Sequence, residues 1–391
     1  MTLTLSSFRV LAVLYGTIVA AGPLYAAPPH RPAAPAAVGE VPDRSVPHAL
    51  DLRELPTVDQ IIPRLDRARV VFVGETHDRF DHHLNQLEVI KRLHARRGAI
   101  AIGMEYFQQP YQAALDDYVA GRISERELLA RTEYYERWRF DYRLYRPILE
   151  FARTNGIPLV ALNVPAEVTG KVGRTGLASL TEAERSAVPA EIDRSDTAYR
   201  DRLREIFSQH PGSGEQEFDR FVDVQLVWDE GMAERAARYL AENPNRTLVV
   251  LAGSGHLAHR SGIPNRVVRR TGGAGMVLLP ADAGPVSPGL ADFLLTSSEQ
   301  TLPPTGRLGV MLNTEDARVV IAEFEPGSPA QEAGIQKGDQ IVAIDGVPVG
   351  HYAEVKVALW DRPPGDAVTV EVRRKRWLGG DETLKVPVTL R

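Results

Sequence analysis

The sequence predicts an α/β fold, with a mostly parallel sheet layered with helices, followed by a small β-rich domain. Four short apolar runs flanked by helical pattern predict the strands, because a parallel strand covered on both faces is continuously apolar. From residue 306 onward the pattern changes to alternating strands separated by tight turns. The four runs are Val70–Val73, Ala99–Met104, Pro158–Leu162 and Thr247–Ala252, and Met276–Leu279 is a candidate fifth strand.

The first residues predict a targeting segment. Arg9 precedes an apolar run from Val10 to Ala21, and small residues follow at positions 26 and 27. This pattern is typical of a secretory signal peptide over residues 1–27, and it predicts export to a bacterial periplasm. An uncleaved segment that holds the protein at the membrane is the alternative. Because the chain has no cysteine, disulfide bonds and attachment through a lipidated cysteine are excluded.

Composition is that of an ordinary soluble globular protein. The chain has 391 residues, of which 43% are hydrophobic and 25% charged, and its formal net charge is −5. This length suffices for two or three domains. Basic residues are spread along the chain, so nothing indicates nucleic-acid binding by bulk electrostatics. No nucleic-acid partner is therefore expected.

Changes in composition divide the chain into segments. Residues 28–48 contain six prolines and predict an extended tether rather than a folded unit. The first domain is predicted over residues 49–280. Four prolines mark residues 281–305 as a linker, although the apolar residues 293–295 within it require a surface to pack on. The β-rich domain then covers residues 306–391.

Helical pattern fills the intervals between the predicted strands. Asp81–Arg97 has apolar residues at helical spacing, and Ser124 followed by Glu127 predicts a helix start with a capping box. His82 and His83 are consecutive, so they point in different directions on the helix, and both are predicted at the surface. Further helical pattern covers residues 109–155 and 181–242.

Polar residues stand at the points where the first four strands are predicted to end. Glu75 and His77 follow the first run, Glu105 the second, Asn163 the third and His256 the fourth. In parallel sheets, ligands bind in the crevice beyond the carboxyl ends of the strands. These five side chains are therefore expected to converge on one site.

The two carboxylates and two imidazoles of this set suit acid–base chemistry. Glu75, His77, Glu105 and His256 are the candidate catalytic residues, with either imidazole as general base and a carboxylate that orients it. The same groups suit a divalent metal, for which Glu75, His77 and His256 are the candidate ligands. A structural alternative is that these side chains only cap strand ends and helix starts.

The motif Gly74-Glu75-Thr76-His77-Asp78 begins a resemblance to the ChaN-like haem-binding family, within the group that also contains the TIKI and erythromycin-esterase proteins. Motif order and spacing extend the resemblance over essentially the whole first domain. The esterase and TIKI relatives imply a hydrolase, metal-assisted or not, as the alternative to haem binding. The other matching motifs are Gly103–Phe107, Trp138, Tyr145–Ala152, Gly156–Asn163, Gln225–Ala233, Leu251–His256 and Gly262–Arg266.

The resemblance implies an exported protein of haem or iron acquisition that holds haem through a tyrosinate, at the interface of a homodimer. Six of the twelve residues Tyr134–Tyr145 are aromatic, and arginines are interleaved. Aromatic faces and guanidinium groups suit a planar macrocycle with two carboxylates, and tyrosinate ligates ferric haem. The alternative is that these rings are core packing. The candidate haem-binding residues are Tyr142, Tyr145, Tyr106, Trp138, Arg146, Asn163 and His256.

The segment Arg307–Leu312 resembles the carboxylate-binding loop and first groove strand of bacterial PDZ domains. The resemblance continues through Ile321–Ala330 and Ala333–Gly346, and it implies that a protein C-terminus or an internal peptide adds to the strand edge. Docking of the module onto its own first domain is the alternative, and a PDZ scaffold with a non-catalytic first domain is a third function. The candidate peptide-binding residues are Leu308, Gly309, Val310, Met311 and Leu312.

Overall fold

The computed structural model shows two folded regions joined by a segment that packs on the first. The predicted signal peptide and tether lie outside the described residues. No helix in the described part of the chain is long and apolar enough to cross a membrane. The described residues are 50–208, 214–313, 318–376 and 380–391.

A parallel six-stranded sheet forms the centre of the first domain and confirms the predicted α/β class. Its strand order is β3-β2-β4-β1-β5-β6, and each neighbouring pair is parallel. The predicted fifth strand is present as β5. The strands are β1 (Val70–Glu75), β2 (Ile100–Gln108), β3 (Leu159–Asn163), β4 (Thr247–Gly253), β5 (Gly275–Pro280) and β6 (Phe293–Leu295).

Helices cover both faces of this sheet, which explains why its strands are continuously apolar. The helices are α1 (Val58–Ile61), α2 (Phe80–Arg97), α3 (Gln112–Val119), α4 (Glu125–Arg131), α5 (Tyr134–Arg137), α6 (Arg146–Thr154), α7 (Ala166–Thr175), α8 (Glu182–Arg185), α9 (Thr197–Phe207), α10 (Glu215–Glu242), α11 (Ser254–Leu257) and α12 (Ile263–Thr271). Val71 and Val73 of β1 pack with α2 and α6 on one face, whereas Val70 and Phe72 pack with α10 and α12 on the other. This alternation follows from the strand period of two.

Local signals in the sequence fix several helix boundaries. The predicted capping box is present, because Ser124 accepts from the Glu127 N–H and the Glu127 carboxylate accepts from the Ser124 N–H. Helix α2 ends at Gly98, whose φ of +67° is readily adopted only by glycine. The prediction that His82 and His83 lie at the surface is wrong, since both are buried. The first turn of α2 lies under the loop after β1, and the Thr76 N–H donates to His82 Nδ1 at 3.1 Å.

The sheet continues beyond residue 280 into the segment predicted as a linker. Strand β6 pairs parallel with β5, with Phe293 opposite Leu278 and Leu295 opposite Pro280. Asp292 holds the junction, because its carboxylate accepts from the Val277 N–H at 2.6 Å. The apolar residues 293–295 therefore find their packing surface at the edge of the sheet.

In its described residues the second domain has a small antiparallel sheet and two helices. Its sheet order is β12-β11-β9-β8-β7, with β10 paired to β9. Asp345 and Gly346 both have positive φ, as the predicted tight hairpin between β9 and β10 requires. The elements are β7 (Val310–Asn313), β8 (Val319–Phe324), α13 (Pro329–Glu332), β9 (Gln340–Ile344), β10 (Val347–Pro348), α14 (Tyr352–Leu359), β11 (Ala367–Arg374) and β12 (Glu382–Thr389).

Helix α14 joins the second domain to the first. Its Ala353 belongs to the apolar core that also contains the aromatic residues of α5. The carboxylate of Glu354 pairs with Arg126 of α4 at 2.9 Å. Tyr352 meets Tyr135 edge to face, with ring centroids 5.8 Å apart. One helix of the second domain is thus packed against the aromatic part of the first.

Candidate functional site

The carboxyl edge of the first sheet places two glutamates on either side of one glycine. Glu75 ends β1 and pairs with Gly253, the last residue of β4. Strand β2 lies on the other side of β4, and its Glu105 accepts a hydrogen bond from the Gly253 N–H at 2.7 Å. Both carboxylates are buried. The sheet order therefore brings together two acidic groups that are distant in sequence.

His77 is held against Glu75 by a short contact. Its Nδ1 lies 2.5 Å from Glu75 Oε1, and the side chain is only 8% exposed. The other oxygen of Glu75 lies 3.2 Å from Nε2 of His83. An added Cβ on Gly253 would lie 2.9 Å from His77 Cε1, so the imidazole occupies the space that a larger residue would need.

His256 forms the second imidazole–carboxylate pair. Its Nδ1 lies 2.6 Å from Asp229 of α10, and its Nε2 lies 3.4 Å from Glu105. Asp229 is itself oriented by Tyr199, whose hydroxyl donates to the second carboxylate oxygen at 2.6 Å. All these side chains are buried. We call the group Glu75, His77, Glu105, Asp229 and His256 the crevice cluster.

Three members of the crevice cluster could hold one cation. Ligand atoms of Glu75, His77 and Glu105 all lie within 4.8 Å of one another. The sequence prediction named His256 as the third ligand, but His256 instead lies between Asp229 and Glu105. Two carboxylates and one imidazole form a donor set that suits zinc, manganese or iron.

Burial and mutual charge shift the pKa values of the cluster strongly. Burial alone lowers the pKa of His77, but the charge and hydrogen bond of Glu75 outweigh it and raise the pKa to about 9. Burial raises the pKa of Glu105, yet His256, His77 and the Gly253 N–H together lower it to about 2. Against burial, Asp229 and Glu105 raise the pKa of His256 well above its usual value. At neutral pH both imidazoles therefore carry protons beside an ionised Glu105.

Aromatic rings border the crevice cluster on the side of His77. Trp138 meets His77 edge to face at a centroid distance of 4.8 Å, and Phe140 lies at 5.0 Å. The Tyr145 hydroxyl donates to the His77 carbonyl at 3.1 Å and accepts from Trp138 Nε1 at 3.0 Å. Trp138 and Phe140 are partly exposed. The aromatic segment, Tyr134–Tyr145, therefore forms a rim over the cluster.

The tyrosines predicted as haem ligands are core residues in this structure. Tyr106, Tyr142 and Tyr145 are buried. Their burial, together with a smaller effect of nearby glutamates, raises the pKa of each phenol well above its usual value. Such phenols stay neutral, whereas haem ligation by tyrosine uses the ionised form. These three residues in this conformation do not fit a haem-bound tyrosinate.

The other candidate haem-binding residues do not share one surface. Arg146 points to the second domain, where its guanidinium lies 4.8 Å from the Trp360 ring centroid and 3.2 Å from Asp361. The Asn163 side-chain N–H donates to the Glu105 carbonyl at 3.0 Å, so it ties the end of β3 to β2. His256 and Trp138 lie at the crevice. The set thus divides between the crevice and the domain contact.

The candidate peptide-binding residues lie along one edge of the second domain. Leu308 is buried, and Gly309 has a φ of +67° in the loop before β7. Val310 and Leu312 are partly buried, whereas the Met311 side chain between them is 59% exposed. This alternation points every second side chain toward α14, as a groove strand requires. Peptide binding by these residues stays a prediction.

Sequence reasoning missed Asp229, Tyr199 and His83. Asp229 and Tyr199 lie on long helices rather than at strand ends, so the rule that found the other residues does not reach them. Asp229 does occur in the matching motif Gln225–Ala233, which was the available signal. His83 was missed because two adjacent histidines on a helix do not reveal which face is buried.

Comparison with known proteins identifies both domains. A family described as haem-binding uptake, Tiki superfamily, ChaN matches residues 61–267, which is more than half of the chain. The chain belongs to the ChaN family. Its second domain matches the PDZ domain over residues 306–390.

Curated relatives of this ChaN-family chain share only part of their length with it. The chloroplastic protein RETICULATA-RELATED 5 of Arabidopsis thaliana is 26% identical over 232 residues, covering 53% of this chain and 30% of the plant protein. The magnetosome formation protease MamE of Magnetospirillum gryphiswaldense is 37% identical over 73 residues, which cover 18% of this chain and 10% of MamE. The chain therefore spans less than a third of either relative.

Solved structures to which parts of the chain are similar include ChaN of Campylobacter jejuni, described with cofacially bound haem. It is 17% identical, with a TM-score of 0.49, and the alignment covers 59% of this chain and 88% of that one. The erythromycin esterase EreC is 14% identical, with a TM-score of 0.36, and the alignment covers 56% of this chain and 71% of EreC. The PDZ domain of HtrA3, bound to a phage-derived ligand, is 25% identical, with a TM-score of 0.19. That alignment covers 22% of this chain and 85% of the HtrA3 domain.

Proposed function

We propose that the first domain is a hydrolase that works in the crevice cluster with a divalent cation held by Glu75, His77 and Glu105. The observation that carries this proposal is the buried set of three ligand atoms within 4.8 Å. Buried charges are costly unless they are paired. Here protons on His77 and His256 balance the carboxylates, and a bound cation would replace the proton of His77 while His256 keeps its own beside Asp229.

Each residue of the cluster then has a distinct role. A divalent cation held by Glu75, His77 and Glu105 would supply the Lewis acidity that activates water for attack near neutral pH. His256, protonated and oriented by Asp229 at 2.6 Å, is placed to donate a proton to a leaving group. Trp138 and Phe140 lie against His77 and are partly exposed, so they would supply an apolar surface for the substrate. The substrate class that follows is an ester or amide with an apolar group.

Metal analysis and a substrate panel test this proposal. The purified chain is loaded with Zn²⁺, Mn²⁺ or Fe²⁺ and assayed against aryl esters and peptide amides. We expect turnover with one cation that is lost in His77→Ala and His256→Ala and retained in the matched control His351→Ala, since His351 is exposed on the second domain. Equal turnover in all four proteins, or no cation binding by the wild type, would overturn the proposal.

Haem binding is the second candidate function, and membership of a family described as haem-binding uptake favours it. A role in haem or iron acquisition follows from the same family. Titration of the chain with ferric haem, beside the double variant Tyr142→Phe/Tyr145→Phe, tests it. A saturable spectrum in both proteins would support a haem site away from the buried phenols. Loss of the spectrum in the double variant would show that the aromatic segment rearranges to expose these phenols to haem. The absence of a saturable spectrum would exclude this function.

Export and peptide binding complete the proposed role. Residues 1–27 have the pattern of a secretory signal peptide, so we expect the mature chain in the periplasm, and N-terminal sequencing of the secreted form tests this. The PDZ domain is expected to bind a peptide along β7, which would recruit a substrate or a partner. Homodimer formation, expected from the family, is tested by sedimentation at several concentrations.

A further inference from the structure

The groove of the PDZ domain is open between β7 and α14. Leu308, Val310 and Leu312 line one side, and Val355 and Leu359 of α14 line the other. The cavity has a volume of about 840 Å³. Leu308, Val355 and Leu359 are buried, so this part of the wall is apolar. A short extended peptide with an apolar last side chain has the size and chemistry to occupy it.

The first domain supplies part of the wall of the same groove. Tyr135, Asp141 and Arg143 of the aromatic segment line the cavity together with the PDZ residues. Arg143 Nη1 donates to the Trp360 carbonyl at 3.3 Å, just after the end of α14. Asp141 Oδ2 accepts from Arg143 at 2.7 Å. The two domains therefore enclose one cavity between them.

Charge along the cavity favours an anionic ligand. Arg307 and Lys356 are exposed at its edge, and neither has a carboxylate partner among the residues that the structure describes. The charge of Arg143, by contrast, is balanced by Asp141. Arg391 lies 3.8 Å from Glu325. The unbalanced cations complement a free carboxylate at the end of a peptide.

We propose that both domains form the peptide-binding groove, and that Asp141 of the first domain limits its positive charge by neutralising Arg143. The ligand is a peptide that has a free C-terminal carboxylate and an apolar last residue. This inference rests on the proposed peptide binding of the PDZ domain. It adds that a residue outside the PDZ domain determines affinity, since the carboxylate of Asp141 partly cancels the positive potential of the groove.

The substitution Asp141→Asn removes the negative charge of Asp141 and keeps the local structure. Asparagine keeps the side-chain oxygen that accepts from the Arg143 N–H at 3.0 Å, so the local turn is retained. The matched control is Glu136→Gln, which removes one negative charge from an exposed residue of the same segment that does not line the cavity. The variant Lys356→Gln removes a cation from the groove itself.

Fluorescent hexapeptides ending in Val or Leu, each as free acid and as C-terminal amide, serve as probes for the full chain. We expect the best free acid to bind about two- to fivefold more tightly to Asp141→Asn, about two- to fivefold more weakly to Lys356→Gln, and unchanged to Glu136→Gln. These differences should shrink in high salt. Equal effects of Asp141→Asn and Glu136→Gln would overturn the two-domain groove and leave PDZ peptide binding intact. Equal affinity for acid and amide would overturn the proposed ligand, and no binding by the wild type would overturn both proposals.

Discussion

Tyr142 of the first domain and Trp360 of the PDZ domain are stacked, with ring centroids 5.6 Å apart and planes 21° from parallel. Arg146 places its guanidinium 4.8 Å from the same indole. Three residues after Tyr142, the Tyr145 hydroxyl donates to the carbonyl of His77. The aromatic segment that borders the crevice cluster is therefore also the surface on which the PDZ domain packs.

Trp360→Ala tests this contact. The substitution removes both the stacked ring and the surface under Arg146, so we expect the free energy of unfolding to fall by about 2 kcal/mol, less than for a fully buried tryptophan. Hydrogen exchange should rise in residues 134–149. Tyr142→Phe is the matched control, because it keeps the stacked ring. A Trp360→Ala protein with unchanged exchange in this segment would contradict the role of the stack.

The pH dependence of stability follows from the shifted pKa values. His77 has a pKa of about 9 in the folded chain and an ordinary value of about 6.5 when unfolded. Its stabilisation is therefore complete below pH 6.5 and is lost as the pH rises through 9. Glu105, with a pKa lowered to about 2, contributes above its ordinary value and loses that contribution as the pH falls toward 2. Denaturation by urea should show greatest stability between about pH 4.5 and 6.5.

The variant His77→Gln isolates one part of this dependence. Because His256 also has a raised pKa, the fall in stability between pH 6.5 and 9 should become shallower in the variant rather than vanish. His351→Asn, at an exposed site, should leave the slope unchanged. An identical slope in wild type and His77→Gln would show that His77 is not protonated in the folded protein at neutral pH.

Most of the crevice can be located from the predicted strand ends alone. Apolar runs predict where β1, β2, β3 and β4 end, and the topology of a parallel sheet requires their carboxyl ends to meet. The runs do not give the order of the strands, and so they do not show that β4 lies between β1 and β2. That order is why Gly253 separates Glu75 from Glu105 and why Glu105 lies close enough to Glu75 and His77 to join them as a candidate cation ligand.

The aromatic segment shows what a sequence pattern leaves open. Six aromatic residues among twelve fit a haem surface and a packed core equally well, because both require flat apolar rings. In the structure Tyr142 and Tyr145 are both buried, and Tyr142 is covered by Trp360 of the PDZ domain, more than two hundred residues later. Only long-range packing, which periodicity does not contain, could make this distinction.

Gly253→Ala tests the space reserved for His77. The new Cβ would lie 2.9 Å from His77 Cε1 and 3.3 Å from Nε2, so the imidazole must move away from Glu75 or the strand must shift. We expect the free energy of unfolding to fall by about 1–3 kcal/mol and cation affinity to be lost. Gly173→Ala is the control, because its Cβ would meet only Val224 at 3.4 Å inside a helix. Retained cation affinity in Gly253→Ala would count against this site.

Cation binding should raise the melting temperature of the wild type. A ligand that binds only the folded state stabilises it in proportion to the logarithm of its concentration above Kd. The effect of added Mn²⁺ or Zn²⁺ should be absent in Glu105→Gln, and it should grow from pH 6 to 8 because the cation displaces the proton of His77. Thermal denaturation at two pH values, with and without a chelator, measures this. An equal rise in wild type and Glu105→Gln would assign the cation to another site.

Asp229→Asn should lower the pKa of His256. Asp229 is the main cause of the raised value, through its charge and the 2.6 Å contact with Nδ1, whereas the remaining partner Glu105 is 3.4 Å from Nε2. Asparagine keeps the shape and an oxygen for the Tyr199 hydroxyl but carries no charge. NMR titration of the histidine ring protons should therefore show that the pKa of one imidazole falls toward neutral pH in Asp229→Asn. Tyr199→Phe, which leaves the Asp229 charge in place, should shift the same signal much less. If the two variants moved it equally, orientation of the carboxylate rather than its charge would set the protonation of His256.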